Sequence, residues 1–165
     1  VAGNLPYNVA TAIIEKLLKW SAPVQDMFFM VQLEVARRIA AVPGTREYGV
    51  LSVFCQHHCQ VQTGFKVSRA CFVPRPQVDS SMISLRPRGI TTSPEYEAAF
   101  EEIVKAAFNY RRKTIANSLT RHPLLGEAAS ELLAGAAIDG SRRAEELSLQ
   151  EFETLASVYR ERRAP

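Results

Sequence analysis

The 165 residues predict an α/β fold class: half of a layered sheet followed by a small all-helical domain. Three observations carry this. Short apolar runs alternate with stretches of helical spacing as far as Leu85, whereas only helical spacing follows. Between the two regimes, Arg86-Pro87-Arg88-Gly89-Ile90-Thr91-Thr92-Ser93-Pro94 interrupts both periodicities with Pro, Gly and hydroxyl residues. The domains are accordingly placed at 1–88 and 89–165.

Each element follows from local pattern. Val1-Ala2-Gly3 reads as the tail of a buried strand, and Asn8 to Lys19 has helical apolar spacing at Ile13, Ile14, Leu17 and Leu18. Met27-Phe28-Phe29-Met30-Val31 is a continuous apolar run suited to a strand buried on both faces. Leu33 to Ala41 reads as the helix after it, closed by Pro43-Gly44. Leu51 to Cys59 suits a packed helix, and Val61 to Val67 and Val78 to Leu85 read as strands flanking Phe72-Val73-Pro74-Arg75-Pro76. Ser93-Pro94 supplies an N-cap and a first-turn proline for a long amphipathic helix through Phe100, Val104, Phe108, Ile115 and Leu119, with Asn109 as the place where it would break. A second helix is expected over Pro123 to Ala134. Ser148-Leu149-Gln150-Glu151 has the form of a capping box opening a last helix towards Arg160.

Composition narrows the class. With 47% hydrophobic and 22% charged residues and no apolar stretch long enough for a bilayer, the chain fits a soluble globular protein, with no membrane partner. Three cysteines, Cys55, Cys59 and Cys71, point to reduced thiols and make the cytoplasm the default compartment. The net charge of +3 permits a polyanionic partner without demanding one. Cys55-Gln56-His57-His58-Cys59 lacks the second ligand pair of a structural zinc site, so it is read as a packed helix and no metal is expected. Neither a Gly-x-Ser-x-Gly elbow nor a Gly-x-x-x-x-Gly-Lys phosphate loop is present, which leaves hydrolase and NTPase readings without support.

The tetrapeptide Asn4-Leu5-Pro6-Tyr7 carries the chemistry. The Asn4 side-chain carbonyl and the Pro6 backbone carbonyl are two acceptors, and Tyr7 adds a flat apolar face. Pro6 fixes its own φ and biases Leu5 towards extended conformations, so the carbonyls are aimed. The blander reading is a strand end with a Pro-containing turn; its place between a strand and a helix favours a ligand-binding turn at the carboxyl end of a strand. Such a turn suits a planar amine with two N–H donors, as adenine presents. Phe72, on a proline-stiffened loop, either plugs the core or stacks on the other side of one extruded base, each stack contributing on the order of 1–3 kcal/mol. Arg111-Arg112-Lys113 with Lys105 and Arg121 is the conspicuous basic cluster; Lys105, Asn109, Arg112 and Lys113 would lie together on one helix. A solvated face and a phosphate-binding face are both compatible with it.

Asn4-Leu5-Pro6-Tyr7-Asn8, Phe72 to Ser80 (Phe-Val-Pro-Arg-Pro-Gln-Val-Asp-Ser) and Phe108 to Leu119 (Phe-Asn-Tyr-Arg-Arg-Lys-Thr-Ile-Ala-Asn-Ser-Leu) occur in that order. Together they resemble the ribosomal RNA adenine N6,N6-dimethyltransferases, in particular the bacterial small-subunit type linked to kasugamycin sensitivity. Arg143-Ala144-Glu145-Glu146-Leu147-Ser148 fits the same family, and the resemblance covers essentially the whole chain. It implies a Rossmann-like methyltransferase sheet with a helical rRNA-binding domain, S-adenosylmethionine as methyl donor, and two adjacent adenines of a 16S rRNA hairpin as acceptors. By the resemblance, Asn4 and Pro6 would accept from the N6 amino group, Tyr7 and Phe72 would stack on the base, and Asn4 and Leu5 would lie against the cofactor. Arg111, Arg112, Lys113 and Lys105 are the expected RNA contacts, and the full-length enzyme is expected to be a monomer.

Two departures qualify the resemblance. Leu33 stands where family members usually carry Lys, and none of the eight glycines forms the family's glycine-rich cofactor loop. The chain is therefore expected to be the C-terminal portion of a larger enzyme, beginning inside the fourth strand and inactive by itself. Two other readings are a non-catalytic rRNA-binding module and a large-subunit rRNA adenine methyltransferase of the antibiotic-resistance type. The Phe108 to Leu119 and Arg143 to Ser148 segments favour the small-subunit type.

Overall fold

The computed structural model describes residues 1–19, 24–89 and 92–163. These form two compact units, one made of Val1–Ala41 and Leu51–Ile90 and the other of Val42–Val50 and Thr91–Pro165.

The first unit is built on a four-stranded sheet. Strands β1 (Ala2–Asn4), β2 (Met27–Gln32), β3 (Cys59–Val67) and β4 (Ser80–Pro87) lie in the order β1-β2-β4-β3. β1 and β2 are parallel; β4 runs antiparallel to both β2 and β3. Asn4 stands opposite Met30, and Ser80 opposite both Gln32 and Val67. That register gathers the carboxyl ends of β1, β2 and β3 and the amino end of β4 at one end of the sheet.

Helices α1 (Ala10–Leu18), α2 (Leu33–Ile39) and α3 (Val50–His58) belong to this unit's element order, and Ile14, Met27, Phe29, Val31, Ile39, Cys55, Ile83 and Leu85 share one core, each at most 2% exposed. Burial of side chains of this size contributes about 1.5–3 kcal/mol each, so the core outweighs any single polar contact in the unit. Cys55 and Cys59 are both buried, but the helix expected over Leu51 to Cys59 stops at His58 and Cys59 opens β3. Burial drives the Cys59 thiol up to about 12, which keeps it protonated and inert.

Two strands depart from the sequence expectation. β2 is not buried on both faces: Met27, Phe29 and Val31 face the core, while Phe28 is 46% exposed, the alternation of a one-sided strand. β1 likewise is exposed along its length and sits at the edge of the sheet. The predicted break also starts later, because Arg86 and Pro87 still pair with Gln60 and Cys59; its Ile90 and Thr91 lie outside the described residues. Gly64 marks a register shift in β3, where a Cβ would come 2.9 Å from the Met82 Cβ.

The second unit is helical, with α4 (Pro94–Phe108), α5 (Ile115–Thr120), α6 (Ala129–Gly135) and α7 (Leu149–Arg163). α4 opens as expected, Ser93 Oγ accepting from the Tyr96 N–H at 3.3 Å. It packs on α7, with the Phe108 and Phe152 rings stacked at 5.6 Å and the Tyr159 hydroxyl donating to Glu102 at 3.0 Å. The capping box before α7 forms: Ser148 N–H donates to Glu151 Oε2 at 2.7 Å and Glu151 N–H to Ser148 Oγ at 3.2 Å. Val42–Val50 joins this unit through Gly44 N–H to the Glu145 carbonyl (2.7 Å) and through the Tyr48 ring edge against Phe108.

The long helix breaks at Asn109 as expected: α4 ends at Phe108, and a turn precedes α5. Thr114 caps α5, its hydroxyl accepting from the Asn117 N–H at 3.3 Å, and Ile115 N–H donates to the Arg142 carbonyl at 2.7 Å. This local cap and the bond to Arg142 start a new helix after the turn. The helix expected from Pro123 begins only at Ala129, because Gly126 lies so close to α5 that a Cβ would meet the Thr120 carbonyl oxygen at 2.6 Å.

Candidate functional site

The end of the sheet marked by Asn4, Gln32, Val67 and Ser80 holds the tetrapeptide and the proline-rich loop together. In the tetrapeptide, Leu5 is the anchor: its side chain is 8% exposed in the core, and its N–H donates to the Met30 carbonyl at 3.1 Å. What Leu5 can offer a ligand is therefore backbone. Asn4, by contrast, is exposed at the last position of β1, and its carboxamide has no hydrogen-bond partner among the described residues. A free amide at a strand end is a ready acceptor and donor.

Pro6 is exposed, and its carbonyl accepts from the Val9 N–H at 3.1 Å, a bond that sets up the entry to α1. One of its two lone pairs is thus occupied and one remains. Tyr7 is half-buried. Its hydroxyl lies 2.7 Å from Ser80 Oγ, in a bond that either group can donate. Ser80 is completely buried at the start of β4, so the Tyr7 ring is held from its far end by the strand next to β2. Sequence reasoning passed over Ser80, and its place at the end of the Phe72 to Ser80 segment was the only available signal.

Phe72 is half-buried at the end of a single 3-10 turn (Arg69–Cys71), with φ −118° and ψ 147°. The loop after it is tied down by polar bonds. Arg69 N–H donates to Asp79 Oδ1 at 3.0 Å, the Arg69 guanidinium to the Gln77 carbonyl at 2.9 Å, and Lys66 Nζ pairs with Asp79 Oδ2 at 2.7 Å. These contacts hold the Asp79 carboxyl below the ordinary carboxylate range, the Lys66 hydrogen bond contributing most. Leu33 N–H donates to the Asp79 carbonyl at 3.0 Å, joining the start of α2 to the same loop. Leu33 is therefore beside this end of the sheet but supplies no charge.

The basic residues lie in the other unit, and they do not share a helix face. Lys105 is on α4 and paired with Glu101 at 2.6 Å, whereas Arg111, Arg112 and Lys113 occupy the turn between α4 and α5. Arg111 donates to the Arg46 carbonyl at 3.0 Å. Arg112 and Lys113 are exposed without an ion-pair partner among the described residues. A turn presents such charges more openly than a helix flank would.

An unpartnered Asn4 amide and a Tyr7 ring anchored through Ser80 thus share one end of the sheet of an α/β domain. The family model described as ribosomal RNA adenine dimethylase matches residues 1–161, and the chain belongs to that family. A ribosomal RNA small subunit methyltransferase A from Bacillus mycoides is 42% identical over 164 residues, covering 96% of this chain and 56% of that protein. The Bacillus anthracis protein of the same name gives the same figures. The chain thus spans about half the length of the curated relatives it matches. Among solved structures, a dimethyladenosine transferase from Plasmodium falciparum superposes with TM-score 0.82 at 21% identity, covering 93% of this chain and 64% of that one. The 23S rRNA methyltransferase ErmE gives TM-score 0.66 at 23% identity, covering 95% and 63%. The fold is the Rossmann-like methyltransferase type with helices appended.

Proposed function

We propose that this protein, in its full chain, methylates N6 of two adjacent adenines in a hairpin of small-subunit 16S rRNA during ribosome assembly in the cytoplasm, acting as a monomer. Family membership over residues 1–161 and the names of the bacterial relatives support this reading. The observation that carries it here is the exposed, unpartnered Asn4 carboxamide on the same turn as a Tyr7 ring anchored to Ser80. S-adenosylmethionine, the family's methyl donor, would supply an electrophilic sulfonium methyl group.

The residues present fit the reacting edge of such a cofactor and not its sugar. Asn4 and the Leu5 backbone are neutral dipoles that can lie beside the sulfonium, but the segment 1–9 has no carboxylate to accept from ribose hydroxyls. Toward the acceptor, Asn4 Oδ1 and the remaining lone pair of the Pro6 carbonyl take the two N–H bonds of the adenine amine. As the nitrogen becomes positive in the transition state, both acceptors are strengthened, so they stabilise it more than the ground state. Stacking between Tyr7 and Phe72 offsets the cost of extruding the base. Arg111, Arg112, Lys113 and Lys105 neutralise phosphates and set register rather than sequence.

Incubating the full chain with labelled S-adenosylmethionine and unmethylated 30S subunits tests the proposal. Nucleoside analysis should find N6,N6-dimethyladenosine in 16S rRNA. No label there, or label in 23S rRNA alone, would overturn it.

A further inference from the structure

We propose that Ser80 is a positioning residue for methyl transfer, acting through the Tyr7 hydroxyl. This rests on the reading of Tyr7 as the ring that stacks on the target base. Among the described residues the one side-chain hydrogen bond of the tetrapeptide joins Tyr7 Oη and Ser80 Oγ at 2.7 Å, between residues 73 apart in sequence. Ser80 is completely buried, so removing the Tyr7 hydroxyl leaves the serine hydroxyl without water to replace its partner.

The bond matters because of where Ser80 stands. It is the first residue of β4, in register with Gln32 of β2 and Val67 of β3, so its Cα is fixed by neighbours on both sides. Its predecessor Asp79 accepts from Leu33 N–H through its backbone, and from Arg69 N–H and Lys66 through its side chain. The tyrosine hydroxyl is thereby referenced to the rigid origin of the Phe72 loop. Proline stiffening sets the backbone of the turn, but χ1 and χ2 of Tyr7 remain to be fixed, and a hydrogen bond at the para position restricts both. A ring with a settled plane presents the same stacking face at each turnover, which favours alignment of the amine more than it favours RNA affinity. Without the bond the ring still stacks, but over a wider range of tilts.

Tyr7→Phe and Ser80→Ala remove the same interaction from opposite ends, which makes a double-mutant cycle the test. Each is expected to lower kcat roughly three- to tenfold, the range that the loss of one buried hydrogen bond allows, with KM for RNA within about twofold. The double variant should be no slower than the slower single one, and Ser80→Thr, which keeps the hydroxyl, should recover most of the rate. Additive losses, or kcat unchanged in Tyr7→Phe, would overturn the proposal. Tyr7→Phe alone decides the matter if Ser80→Ala fails to fold, since it alters no core volume. Tyr7→Ala separates this proposal from the reading beneath it: full activity there would mean that Tyr7 is not the stacking group at all. Loss in Tyr7→Ala with wild-type rates in both conservative variants would refute the role of Ser80 alone.

Discussion

Within one four-residue turn, stability and chemistry are assigned to different side chains. Leu5 holds the turn to the core, whereas Asn4 and Pro6 are exposed and Tyr7 is half-buried and tied by its hydroxyl. Leu5→Ala should therefore cost about 2–5 kcal/mol of stability, as deletion of a buried leucine side chain generally does, read as a lower midpoint in denaturant with an unchanged slope. The sequence revealed the acceptors and the ring from residue type alone, because Asn, a pre-proline residue and an aromatic have intrinsic chemistry wherever they lie. It could not reveal Ser80. A partner 73 residues away is set by strand register, and no local pattern encodes which serine in a polar loop will meet a given hydroxyl.

At the scale of elements, short-range devices were read well and continuity was read poorly. The Ser93 cap and the Ser148–Glu151 box are local bonds between residues three apart, so their sequence signatures suffice. The break at Asn109 was legible, but the helix started at Pro123 failed for the opposite reason. The close approach of Gly126 to the Thr120 carbonyl, which helical spacing does not encode, delays it to Ala129. The same limit applies to β2, whose apolar run looked two-sided although Phe28 is exposed. Before α7, Glu151 also receives the Arg142 guanidinium, which with Ser148 lowers its carboxyl from 4.5 to about 2. A depressed native pKa stabilises the fold above the unfolded value of 4.5, and that stabilisation is lost as pH falls towards about 2. Glu151→Gln should thus lower thermal stability at pH 7 and flatten its decline between pH 4.5 and about 2. A parallel decline in variant and wild type would show that the Arg142–Glu151 pair does not govern it.

For the molecule as a whole, the two compact units carry different parts of the proposed task. The sheet-bearing unit presents the methyl-acceptor turn, and the helical unit presents Arg111, Arg112 and Lys113 on an exposed turn. Phosphate contacts dominate RNA affinity, while a single stacked base contributes a small share of it. Removing that stack should consequently impair chemistry much more than binding. The most direct test is Tyr7→Ala in the full chain, with methyl incorporation into 30S subunits and RNA dissociation constants measured on the same preparations. Methyl transfer should fall about ten- to hundredfold with RNA affinity within about threefold, in line with about 1–3 kcal/mol for one stack. Equal losses in transfer and affinity, or undiminished transfer, would contradict the proposed role of Tyr7.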